Sequence, residues 1–185
     1  MAGNPENASV WKEADVWLDF SRTATPPANL TDGWDDLGWE LAGLLSGDDG
    51  FVEAREEDVE DHFAWGGLLV RTTRANHKRT IAFTALEDNP VTFQLLNPGS
   101  SRLVTNGMVV SEVRVPQSEP FAIGFETREG SKIKRRICSR AEVQEVGEIT
   151  EAETALTTYA FTVAIYPDGD GLLWTDIVTA PTSGS

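Results

Sequence analysis

In LGWELAGLLSGDDGFVEAREEDVEDHFAWGGLLVRTTRANHKRTIAFTALEDNPVTFQLLNP (residues 37–98) an acidic loop, a tryptophan-glycine hinge, a long strand and a short helix follow one another. Asp48-Asp49-Gly50 reads as a turn, since Gly supplies positive φ and Asp hydrogen-bonds its own backbone two residues on. Eight acids then fall between positions 48 and 61 against a lone Arg55, so residues 46–68 are expected as a charged surface loop, or one that faces cations from another segment or subunit. From position 80 to 87 the side chains of Ile81, Phe83 and Ala85 share one face and Thr80 and Thr84 the other, the pattern of a half-buried strand. Asp88 or Asn89 can cap a helix, Pro90 suits its first turn, and Val91, Phe93, Leu95 and Leu96 anchor it before Pro98-Gly99, which predicts a helix over 88–98.

Beyond the helix, residues 103–115, 121–128, 133–138, 142–149 and 159–166 are strand-like, with a hairpin turn over 128–132. Many strands and one helix predict a mainly β fold, a β-sandwich or barrel, with its domain over 37–178. Residues 1–36 place Trp11 and Trp17 among Asn, Thr and Pro26-Pro27, too irregular for a core element, and are expected as an extended N-terminal arm whose apolar anchors dock on a neighbour. Residues 179–185 are a small polar tail, expected to be flexible.

The chain has 185 residues, enough for one domain that buries roughly 70% of its unfolded surface. Its formal charge of −15 argues against gripping nucleic acid, because phosphate binding uses clustered Lys and Arg to release counterions. Cys138 is alone, so no intrachain disulfide can form and a reducing compartment suffices for folding. Residues 1–30 lack a basic stretch followed by an apolar core, and no window approaches 18 apolar residues, so neither a signal peptide nor a membrane span is expected.

His62 and His77 with Cys138 cannot form a familiar zinc site without carboxylates from elsewhere, and no G-x-S-x-G elbow occurs. No catalytic residue, metal or cofactor is expected. Asp168-Gly169-Asp170-Gly171 invites a calcium reading, but Leu172-Leu173-Trp174 follow where an EF-hand loop needs further ligands, so a tight turn is favoured. Lys132, Lys134, Arg135, Arg136 and Arg140 form a basic cluster without the interleaved aromatics that stack bases. Its expected partners are Glu142, Glu145 and Glu148, or the acidic loop of a neighbour.

The order of Leu37-Gly38, the turn 49–53, the acidic run ending in Ala64-Trp65-Gly66-Gly67, the basic strand 70–74, the strand 80–87 and the helix entry Glu87-Asp88-Asn89-Pro90 resembles the major tail tube protein of long-tailed phages infecting actinobacteria. AEVQEVGEIT (141–150) and YAFTVAIYPDGDG (159–171) look like that family's closing strands. The resemblance implies a structural protein whose copies form stacked, hexameric rings, the hollow tube of a non-contractile tail in the virion, assembled in the host cytoplasm. It implies partners in the tape measure, terminator and initiator proteins, and double-stranded DNA that passes without sticking to walls of about −90 charge per ring. The loop 46–68 and the arms would cross to the adjacent ring, with Trp65 as anchor and Gly66-Gly67 as hinge.

On that reading the subunit contacts are Trp11, Trp17 and Trp65, the acids Glu53, Glu56, Glu57, Asp58, Glu60 and Asp61, and the bases Arg71, Arg74, Lys134, Arg135 and Arg136. Thr80, Thr84, Glu126 and Glu129 are the residues expected to face the lumen. Two other readings remain: the inner tube of a contractile tail or secretion system, and a monomeric β-sandwich module using Trp34, Trp39 and Trp65 as a ligand platform.

Overall fold

The computed structural model describes Asn4 and residues 7–181. Its elements run β1 (Glu13–Asp19), β2 (Glu40–Leu41), β3 (Val52–Phe63), β4 (Leu69–Ala85), α1 (Pro90–Leu96), β5 (Ser101–Thr105), β6 (Met108–Glu112), β7 (Phe121–Glu129), β8 (Lys132–Val146), β9 (Tyr159–Ile165) and β10 (Thr175–Val178). Among the described residues one sheet takes the order β2-β1-β7-β8-β9-β4-β3, with β10 also on β8, while β5 and β6 form a separate two-stranded ribbon.

The long strand β8 makes the sheet a sandwich. Its first part pairs with β7, its last part with β9, and a register shift lies between Val143 and Glu145. A strand that bends at such an irregularity can pass from one layer to the other. The core then fills from both sides: Val16, Leu18, Ile123 and Cys138 from the first layer, and Ile81, Phe161, Val163 and Ile165 from the second. α1 closes one end. Asn89 accepts from Thr92 N at 2.9 Å, Pro90 sits at the start, and Val91 and Leu95 enter the core, as the sequence predicts.

The expected arm over 1–36 needs correction at residues 13–19. β1 pairs with β7 along its whole length, from Glu13 opposite Arg128 to Asp19 opposite Ala122. Alternation is hidden in EADVWLD because both faces are covered. Val16 and Leu18 enter the core, and Trp17 and Asp19 lie beneath residues 20–39, which fold back over the first layer. Asp19 organises that return by accepting from Ser21 Oγ, Arg22 N and Ala24 N at 2.6–2.8 Å. Residues 1–3, 5 and 6 lie outside the described residues.

Three smaller corrections concern the strands. Residues 103–115 are not one strand but the β5–β6 ribbon, turned at Asn106 (φ 51°) and Gly107 (φ 76°), a two-residue hairpin of the Asn-Gly kind. The predicted strands 133–138 and 142–149 merge into β8, because Cys138 and Ala141 remain buried across the polar Ser139-Arg140. β10 is a strand the sequence does not assign, and its pairing with β8 runs one residue into the expected tail, for Thr179 N still donates to Ile133 O at 2.9 Å. Residues 182–185 of that tail lie outside the described residues.

A tryptophan cluster seals the outer face of the first layer. Trp17 and Trp34 stack with centroids 6.0 Å apart, and Trp39 meets Trp34 edge-on at 5.1 Å. Gly124, opposite Trp17 on β7, leaves the space that the Trp34 ring occupies, and a Cβ there would collide with its six-membered ring. Gly124→Ala should therefore cost about 1–3 kcal/mol by overpacking, read as a lower denaturant midpoint with an unchanged slope.

Candidate assembly interface

β4 pairs with β9 only from Arg79 to Ala85, whereas its pairing with β3 runs on to Leu69. The ten residues 69–78 of β4 and their β3 partners thus form a free two-stranded ribbon about 33 Å long, at a rise of about 3.3 Å per residue. This corrects the expected loop over 46–68 to a β-hairpin. The reason is charge pairing that a one-strand reading cannot see. Glu57 takes Arg55 at 2.8 Å, Arg74 at 2.5 Å and His77 at 3.0 Å, and Glu56 takes Lys78 at 3.4 Å. Glu53 bridges Arg79 and Arg136, both at 2.7 Å. Asp58 accepts from Asn76, and Asp61 from Thr72. The hydrogen bond from Arg55, with the charge of Arg74, holds the Glu57 carboxyl below its ordinary value.

From Val52 to Ala85 six acids meet five bases, a net charge of −1, so −14 of the chain's −15 lies elsewhere. At the apex Ala64 N donates to Leu68 O, and Gly66 (φ 90°) and Gly67 (φ 82°) adopt the left-handed backbone that closes the turn. Trp65 is fully exposed there, with Phe63, Leu68, Leu69 and Val70 also open to solvent. Among the described residues Arg71, Glu60 and Asp61, just behind the apex, have no ion-pair partner.

Other expected contact residues lie inside the protomer. Trp17 belongs to the tryptophan cluster and is half-buried. Arg135 is 5% exposed, with its Nη1 donating to Asn29 O and Asp32 O and its guanidinium over the Trp34 ring. Arg136 lies over Trp174 at 4.2 Å and pairs with Glu53 and Asp176. Of the acids expected to pair with this basic cluster, Glu142 does so, through Arg140 at 3.3 Å. Lys134 is half-buried with no ion-pair partner among the described residues, and Trp11 is exposed.

Two expected lumen residues are corrected as well. Thr80 is buried, and Glu126 is 3% exposed at the centre of a polar hub. It accepts from Trp34 Nε1 at 2.6 Å and Arg128 Nε at 2.5 Å, and lies 2.6 Å from Arg135 Nε, out of hydrogen-bond alignment. Arg128 also pairs with Asp15. Thr84 and Glu129 are half-buried. Trp34 and Trp39 are buried, so the tryptophan platform of a ligand-binding module does not exist here.

A cleft of about 500 Å³ opens where the core meets the base of the ribbon, floored by Phe51, Ile81, Phe83 and Phe125. Among the described residues no group of His, Cys, Asp and Glu is placed to hold a metal ion, and no helix is long and apolar enough to cross a membrane.

The family model described as phage tail tube protein matches residues 1–183. This chain belongs to the phage tail tube protein family. No curated protein matches it. The role is structural, in the tail tube of a virion, which implies self-assembly into a tube, and the mainly β sandwich is consistent with that fold.

Burial pushes the Glu126 carboxyl up, but bonds from Trp34 and Arg128 and the charges of Arg135 and Arg128 outweigh it and hold it below the ordinary value. Its stabilisation is therefore present above the unfolded carboxylate pKa of about 4.3 and is lost as pH falls through the lower folded value. The melting temperature of the tail tube protomer should fall on acidification below about pH 4, and Glu126→Gln should weaken that dependence. Glu126→Ala should cost about 3–5 kcal/mol in denaturant melts at pH 7, because Arg135 stays buried without its counter-charge.

Proposed function

We propose that copies of this chain close into rings, six to a ring, and that the rings stack through the β3–β4 ribbon into the hollow tube of a non-contractile tail of an actinobacterial phage. The observation that carries this reading is the free ribbon. Its outer part adds nothing to the protomer's core, and its apex exposes Phe63, Trp65, Leu68, Leu69 and Val70 together. A soluble protomer gains nothing from such a projection, whereas a copy in the next ring offers it a surface to cover. The length, about 33 Å, suits contact beyond the protomer that bears it.

Electrostatics supports passage of DNA through such a tube. The ribbon is almost neutral, so the surplus of acid sits on the sandwich and its loops, where six copies would present about −14 each to the lumen and the outer wall. That field repels phosphate and leaves a genome free to slide. The exposed ion pairs of the ribbon are worth about 0–1 kcal/mol each, so they set its shape and register more than its stability. Nothing in the chain measures length; a tape measure protein in the lumen and terminator and initiator proteins at the ends would do that.

Negative-stain electron microscopy at rising protein concentration, with light scattering for mass, tests the reading. Hollow tubes of uniform diameter are expected. Replacing residues 57–77 by a two-residue Asn-Gly turn should leave the melting temperature within a few degrees of the parent and abolish tubes, leaving rings or protomers. Tubes of normal length from the shortened protein would overturn the role given to the ribbon.

A further inference from the structure

The cleft at the ribbon's base has features that the protomer leaves unused. Its floor is aromatic, with Phe51 and Phe125 edge-on at 5.1 Å and Phe83 against Phe125 at 6.1 Å. On its wall Thr127 Oγ1 is buried without a hydrogen-bond partner among the described residues, an orphan that an incoming donor or acceptor would satisfy. Among the described residues Lys12 and Lys134 stand on its rim with no ion-pair partner, and so does Asp49. The other rim charges, Glu13, Glu53 and Arg136, are already matched within the protomer.

The ribbon apex is the complement of this inventory. It carries an exposed indole and four further apolar side chains, backed by two unpaired acids, Glu60 and Asp61, and one unpaired base, Arg71. The cleft carries an apolar floor, two unpaired bases and one unpaired acid. The two cannot meet within one protomer, because Glu53 in the cleft and Trp65 at the apex are twelve residues apart along extended chain, about 40 Å. We propose that the cleft is the seat for the ribbon apex of a second copy: Trp65 enters over the Phe51–Phe125 floor, Glu60 and Asp61 meet Lys12 and Lys134, and Arg71 meets Asp49.

The contact joins two different patches, so each copy that receives an apex still offers its own, and the contact propagates. The proposal rests on the tube reading, and deepens it by naming the receiving surface. Cleft and apex together bring aromatic burial and opposite charges, the combination that anchors interfaces.

The test uses full-length protein and two kinds of variant. Lys134→Glu should raise the concentration needed for tube formation at least tenfold, and Asp61→Lys in the same chain should restore most of it. Independently, Gly47→Cys with Leu68→Cys places thiols at the cleft and the apex. Gly47 has open space around it and Leu68 is exposed. The native Cys138 is buried, with its thiol pushed up to about 12, so it stays silent. A short bismaleimide should give a ladder of covalent multimers from tubes of the double-cysteine protein and none from either single variant. Normal assembly of Lys134→Glu without a ladder from the double-cysteine tubes would overturn the seat while leaving the tube intact. Absence of tubes from the unaltered protein would overturn the tube reading and this proposal with it.

Discussion

A strand that carries Glu53, Glu56, Glu57, Asp58, Glu60 and Asp61 within nine residues holds an extended shape only because β4 sets Arg74, His77, Lys78 and Arg79 against it. Like charges stacked along one edge would otherwise splay the ribbon, and even here Arg55 stands directly opposite Arg79. Each of these two is drawn aside, Arg55 to Glu57 and Arg79 to Glu53. The pairing therefore decides where the ribbon points, and everything that depends on reach follows from it. It also guards the molecule. β3 is one open edge of the main sheet, and charged side chains along an open edge discourage indiscriminate strand pairing, which a protein made in many copies must avoid.

The Glu126 hub does a different task on the outer face of the first layer, since its neighbours Phe125 and Thr127 point the other way into the cleft. By binding Trp34, Arg128 and Arg135 it fastens residues 20–39 over the outer face of β1, β7 and β8. That face is then sealed by the molecule's own chain. A buried carboxylate with two guanidiniums is weak evidence of net stability, since desolvation opposes the attraction. Its value lies in specificity: the return segment can dock in one register only, with the Trp34 ring over Gly124 and the Arg135 guanidinium over Trp34.

Much of the fold was legible in residue order. The cap at Asn89, the alternation of Ile81, Phe83 and Ala85, and the turn near Gly130 are local signals, and local physics satisfies them. β1 was hidden because a strand covered on both faces loses its period of two, and the covering segment lies up to twenty residues away. The ribbon was hidden because its acids look destabilising until their partners on β4 are counted. Trp17, Arg135 and Glu126 read as surface chemistry for the same reason: their partners, Trp34 and the carbonyls of Asn29 and Asp32, come from a segment whose docking no pattern announces. The Asn106-Gly107 turn, by contrast, had a plain signal in the Asn-Gly pair inside an apolar run.

What the protomer leaves open constrains how copies can meet. Besides the apex and the cleft, the β5–β6 ribbon exposes Leu103, Met108 and Val110 on one face and Val104 and Val109 on the other, held to the body by Arg102, which pairs with Asp88 and lies over Phe93. A two-stranded ribbon apolar on both faces is marginal in water. A tube needs two kinds of contact, one that closes a ring and one that stacks rings. In the proposed tube an apex and cleft related by translation along an axis would stack without closing, so a second, laterally placed surface would close the ring, and among the described residues the β5–β6 ribbon is an uncovered apolar element with that placement to offer.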